Sequence, residues 1–145
     1  MKRNNVQATI NGIPVEATAG TSILDAARAI QIEIPTLCKH EDLLPTAACG
    51  LCVVKIEGSR KMPRACATAV QEGMSIVTHD PELQEVRRST LQLILSTHPN
   101  TCLTCARNQT CELQRLAHEF GVREMPFEMM VQDIPQDDTT PSIVL

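Results

Sequence analysis

Two groups of residues in this chain have the types and spacing of metal ligands. His98, Cys102, Cys105 and Cys111 fall within fourteen residues in the pattern H-x3-C-x2-C-x5-C. Upstream, Cys38, Cys49, Cys52 and Cys66 follow the pattern C-x10-C-x2-C-x13-C. Seven cysteines cannot all pair as disulfides within one chain, whereas seven thiols and one imidazole divide into two four-ligand sets with none left over. Four thiolates hold a [2Fe–2S] cluster, two to each iron, or a structural zinc ion. Three thiolates with one imidazole are likewise a common zinc set. The small residues Ala47, Ala48 and Gly50 would let backbone amides approach cluster sulfides and stabilise a reduced cluster. In the second set a neutral imidazole replaces a thiolate, which makes the site less negative and, by analogy with Rieske centres, raises its potential. Either set points to electron transfer or structural support, not to bond chemistry on a substrate.

Other classes of function find little in the sequence. There is no glycine-rich nucleotide loop, no nucleophile elbow and no convincing pair of catalytic carboxylates, so neither a flavin nor a nicotinamide site is expected here. The net charge is −4, and the only aromatic residues are Phe120 and Phe127. Both facts argue against nucleic acid as a partner. No apolar run of about 18 residues exists, so no membrane span is expected. The basic start Met1–Asn5 lacks a following apolar stretch, so no secretory signal is expected. A reducing cytoplasm suits clustered thiols used as metal ligands. His40, close to Cys38, reads as a spare beside a set that already has four ligands; His79 and His118 read as solvated, as does the charged helix face Glu82, Glu85, Arg87 and Arg88.

The elements that position the ligands follow from local pattern. Val6, Ala8, Ile10 and Ile13, Val15, Ala17 alternate with polar residues around Asn11-Gly12, which predicts a hairpin with a type I′ turn. Pro14 places the second strand at a sheet edge or turns its nitrogen away from the ladder. Ser22 and Asp25 resemble a capping box ahead of the stripe Ile23, Ala26, Ala27 and Ile30, and Pro35 prevents continuation. Thr36–Cys52 reads as an irregular loop. A strand over Val53–Ile56, a partner over Lys61–Ala65 and a strand over Ser75–Thr78 follow. Asp80-Pro81-Glu82 starts a helix to about Thr97. Thr110 caps a last helix with the face Leu113, Leu116, Ala117 and Phe120, closed by Gly121. The second ligand set therefore bridges two helices.

The fold class is α+β. A β-grasp-like domain spans residues 1–79, a small helical metal-binding segment residues 80–125, and an extended tail or linker residues 126–145. The tail is acidic and proline-bearing from Asp133 to Pro141 and ends on apolar Ser142–Leu145, the composition of a docking segment or of a chain that continues.

Taken together, the motifs resemble the N-terminal region of the cluster-rich subunits of NAD(P)-linked [FeFe]-hydrogenases. They are also similar to the large iron–sulfur subunit of complex I and to NAD-dependent formate dehydrogenases. The matching stretches are Ile34–Cys38, Cys49–Val54, Cys66–Thr68, Gly73-Met74, and His98-Pro99 through Cys111–Gln114, across about residues 6–145. The resemblance implies a ferredoxin-like [2Fe–2S] domain on Cys38, Cys49, Cys52 and Cys66. It implies a [4Fe–4S] cluster on His98, Cys102, Cys105 and Cys111. It further implies an electron relay between a flavin/NAD(P)-binding subunit and a catalytic or ferredoxin-like subunit. The alternatives are the same relay in a formate dehydrogenase, transhydrogenase or complex I-like enzyme, and a zinc-stabilised interaction module. Relatives often carry Arg at the position of Gly50, and they continue into two further [4Fe–4S] clusters and a catalytic domain.

Overall fold

The computed structural model describes residues 5–99 and 101–128. Most of the tail beyond Pro126 lies outside the described residues. Strands β1 (Asn5–Ile10) and β2 (Ile13–Thr18) form the antiparallel hairpin, with Ile10 paired to Ile13 across the turn. Asn11 and Gly12 take φ angles of +52° and +79°, as a type I′ turn requires. The Asn11 side chain then ties the turn to the residue that follows the neighbouring parallel strand: its Nδ2 donates to Thr78 Oγ1 at 2.7 Å, and its Oδ1 accepts from Thr78 N at 2.8 Å.

The sheet order is β2-β1-β4-β3, with β3 (Lys55–Ile56) and β4 (Ser75–Val77). β1 runs parallel to β4, and the other pairings are antiparallel. β2 is an edge strand, so Pro14 costs no ladder bond. The expected strand over Val53–Ile56 is shorter, and its expected partner Lys61–Ala65 shrinks to a single bridge between Val53 and Arg64. Pro63 has no N–H to give; its carbonyl accepts from Val54 N. The chain turns at once into a short 3₁₀ turn, Ala65–Ala67, that holds Cys66.

Helix α1 (Ile23–Ala29) crosses the sheet with Ile23, Leu24, Ala26 and Ala27 buried. Ser22 Oγ accepts from Asp25 N at 3.0 Å, and its hydroxyl donates to the Asp25 carboxylate at 2.7 Å. The carboxylate thus orients the capping hydroxyl where a full capping box would reach the backbone. Its stripe joins Ala8, Ile10, Val15, Val54, Val70 and Ile76 in the main core. This aliphatic core follows from the absence of Trp and Tyr.

Helix α2 (Pro81–Ser96) begins as the sequence predicts: Asp80 Oδ1 accepts from Leu83 N at 2.7 Å, and Pro81 occupies the first turn. Helix α3 (Glu112–Glu119) departs from expectation at its start. Its N-cap is Cys111, with no side-chain cap, and the Thr110 hydroxyl instead donates to Arg107 O. A hydroxyl that bonds the preceding turn cannot also cap the following helix. Gly121 closes α3 at φ +63°, with Val122 N bonded to Ala117 O at 2.8 Å. A second apolar cluster of Leu51, Leu91, Leu116 and Phe120 joins α2 and α3 to the loop that carries Cys49 and Cys52.

Candidate metal centres

The first centre lies where that loop, the 3₁₀ turn and the segment after α1 meet. Cys38 accepts hydrogen bonds from the backbone of Cys49 and Ala48 and from the side chains of Cys49 and Thr46. Partial burial opposes ionisation of its thiol, but these bonds outweigh it and bring the pKa down to about 7. The donors converge because Ala47 and Gly50 take positive φ angles, +53° and +74°, and fold the loop back on itself. Leu37 N reaches Cys49 Sγ at 3.5 Å.

Cys66 sits beside Cys52, near Cys38 and Cys49. Burial, its bond to Cys52 and the nearby Cys38 and Cys49 push its thiol up to about 12. Four thiols brought this close resist simultaneous ionisation, and only cations placed among them relieve the repulsion. Thr36 Oγ1, two residues before Cys38, is buried without a hydrogen-bond partner, a donor left free beside a sulfur-rich site. Among the described residues no three of His, Cys, Asp and Glu converge closely enough to hold a single metal ion.

The second centre is a cavity of about 230 Å³ between the end of α2 and the start of α3. All four expected ligands line it: His98, Cys102, Cys105 and Cys111. Leu95, Leu113 and Ala117 supply apolar walls. His98 enters just past the C-cap Thr97, with its N–H bonded to Leu95 O. Cys102 begins the 3₁₀ turn Cys102–Thr104, and Cys105 ends it. Gln114 locks the rest of the loop: its Oε1 accepts from Gln109 N, and its Nε2 donates to Asn108 Oδ1, both at 3.1 Å. Because the thiol of Cys111 does not cap α3, it remains free to face the cavity.

None of the other histidines lines the cavity of the second centre. His40 is exposed, with its Nδ1 accepting from Asp42 N, His79 pairs with the Thr78 hydroxyl, and His118 is exposed.

The expected solvated face of α2 fails at Arg87. Arg87 does not belong to a solvated face; it is 1% exposed and donates to Leu51 O and Val53 O. The signal was present in the sequence, since Leu83, Arg87 and Leu91 are spaced by four and share a helix face. Arg88 is also engaged, with Nε donating to Phe120 O at 3.0 Å.

Comparison with known proteins agrees with this arrangement. The 2Fe-2S iron–sulfur cluster binding domain family matches residues 3–81. The NADH-ubiquinone oxidoreductase-G iron–sulfur binding region matches residues 87–126. The chain is 40% identical over 141 residues to subunit HndD of the NADP-reducing hydrogenase of Solidesulfovibrio fructosivorans, covering 94% of this chain and 24% of that protein. It is 35% identical over 116 residues to the NADH-ubiquinone oxidoreductase 75 kDa subunit of Reclinomonas americana, covering 80% of this chain and 17% of that protein. It therefore spans a quarter or less of the length of these relatives. Among solved structures, the NAD+-reducing [NiFe]-hydrogenase in its H2-reduced state superimposes with a TM-score of 0.84 at 28% identity, over 94% of this chain and 57% of that one. No helix among the described residues is long and apolar enough to cross a membrane. The cofactors are a [2Fe–2S] and a [4Fe–4S] cluster, and the chain belongs to the 2Fe-2S iron–sulfur cluster binding domain family.

Proposed function

We propose that this chain relays single electrons between a flavin/NAD(P)-binding subunit and a catalytic or ferredoxin-like subunit of a larger oxidoreductase, first of all a hydrogenase of the [FeFe] type. The observation that carries the reading is the gathering of eight side chains into two separate four-donor sites, one inside each matched cluster-binding stretch. In this reading Cys38, Cys49, Cys52 and Cys66 hold the [2Fe–2S] cluster, and His98, Cys102, Cys105 and Cys111 hold the [4Fe–4S] cluster. Residues 1–79 form the first module, 80–125 the second, and 126–145 a connection to a further domain or partner.

When bound, the clusters supply one-electron changes of valence. The chain's own groups fix their surroundings. The Cys49 and Ala48 amides and Thr46 offer donors to the Cys38 sulfur. Leu95, Leu113 and Ala117 keep water from one wall of the second site, and His98 contributes a neutral donor in place of a thiolate. All seven cysteines are free thiols, which fits a reducing cytoplasm.

The hydrogenase assignment draws on the 40% identity to HndD. The 35% identity to the 75 kDa component of an NADH-ubiquinone oxidoreductase supports the same relay in a quinone-linked enzyme. To test the relay, NADH or NADPH is added to the complex that co-purifies with this chain, and the clusters are followed by EPR. The reading expects both clusters to be reduced through the flavin subunit. Clusters that stay oxidised beside a reduced flavin would overturn it. Hydrogen-dependent reduction then separates a hydrogenase from a quinone-linked enzyme.

A further inference from the structure

The middle of α2 presents a cation where an apolar residue would complete its buried stripe. Arg87 Nε donates to Leu51 O at 3.1 Å and Nη2 to Val53 O at 2.8 Å, and these carbonyls flank Cys52. Two further contacts seat the helix on this loop. The Thr90 methyl lies 3.5 Å from where a Cβ at Gly50 would stand, and Leu91 packs in one cluster with Leu51.

A guanidinium keeps its charge in proteins, and burying a charge without a counter-charge is costly. Among the described residues no carboxylate lies within ion-pair distance of Arg87. Burial lowers its pKa, and the strongest opposing influence is Cys52, ahead of Asp80 and Glu119. Its two carbonyl partners hold it instead on either side of Cys52, at the sulfur site. A cluster on four thiolates is negative, and it gains one further negative charge with each electron it accepts.

We propose that Arg87 is the positioning residue and buried counter-cation of the [2Fe–2S] site, lent by the helix that also leads to His98. It fixes the Cys49–Cys52 loop through the Leu51 and Val53 carbonyls, and its charge favours the reduced cluster. The proposal rests on Cys38, Cys49, Cys52 and Cys66 being the ligands of that cluster.

The test compares wild type, Arg87→Gln, Arg87→Met and Arg87→Lys in the whole chain by EPR-monitored redox titration, with the [4Fe–4S] signal as internal reference. The [2Fe–2S] midpoint falls in the Gln and Met variants while the [4Fe–4S] midpoint stays in place. Lys restores the midpoint because it keeps the charge. A single ammonium reproduces the two-carbonyl grip poorly, so Cys52 in the apo-protein of Arg87→Lys is alkylated faster than in wild type. Equal midpoints in all four proteins, or equal shifts in Lys and Gln, overturn the proposal. Should the neutral variants not accumulate, Arg87→Lys decides. An unshifted midpoint with faster Cys52 labelling supports the proposal; a shifted midpoint or wild-type labelling overturns it. Failure of the ligand assignment is seen separately, as a Cys66→Ser chain that keeps its [2Fe–2S] signal, and it removes the proposal as well.

Discussion

Leu51 and Leu116 are both fully buried and share one apolar cluster, although one stands between Cys49 and Cys52 and the other lies on α3 beyond Cys111. The loop of the first centre and the helix that starts at the second are thus packed into a single core. Close packing transmits displacement, so damage at Leu51 reaches both sites. Leu51→Ala is expected to cost about 2–5 kcal/mol and to lower iron occupancy at both centres. Leu44→Ala, at a residue that is 89% exposed, is expected to stay within about 0.5 kcal/mol of wild type with full occupancy. Denaturant unfolding with iron analysis checks this; a Leu51→Ala protein that behaves like Leu44→Ala contradicts the shared core.

Changing the imidazole ligand tests tuning of the second centre. His98→Cys adds a thiolate to a cavity already lined by three cysteines. The variant is expected to keep a four-iron cluster and to titrate at a lower potential, since added negative charge disfavours reduction. An EPR titration that finds the [4Fe–4S] midpoint unchanged would remove the tuning role from His98.

The start of α2 makes a prediction about pH. The Leu83 amide and Lys55 hold the Asp80 carboxyl below its ordinary range, and Asp80 and Glu82 raise Lys55 in return. A depressed carboxylate stabilises the fold above its unfolded value, about 3.9, and loses that contribution only as pH falls through the lower folded value. A raised lysine contributes below about 10.4 and loses its contribution only as pH climbs through the higher folded value. Neither loss falls between about pH 5 and 8. Asp80→Ala is therefore expected to cost about 1 kcal/mol, equally across that range. A deficit that fades as pH drops from 8 to 5 would contradict the cap and ion-pair account.

Local signals were legible where one or two residues decide the conformation. Asn11-Gly12 dictates its turn, Asp80-Pro81 its helix start and Gly121 its helix end. Counting seven thiols and one histidine suggested two four-ligand sets, and one cavity brings together the residues of the second. What distant parts of the chain decide was not legible. The strand over Val53–Ile56 is cut short because Pro63 and the turn at Cys66 lie opposite it. Thr110 yields the cap to Cys111 because its hydroxyl bonds Arg107 O. Arg87 read as solvated because a charged side chain usually is; the Leu51 and Val53 carbonyls that receive it come from a loop more than thirty residues away.

The most direct test of the account is the iron content of single-ligand variants purified without oxygen. One [2Fe–2S] and one [4Fe–4S] cluster require about six irons per wild-type chain. Cys66→Ser is expected to retain about four irons with only the [4Fe–4S] signal, and Cys105→Ser about two with only the [2Fe–2S] signal. A colourless wild-type protein containing zinc alone, or a Cys66→Ser protein that keeps six irons, would contradict the division of these residues into two iron–sulfur sites.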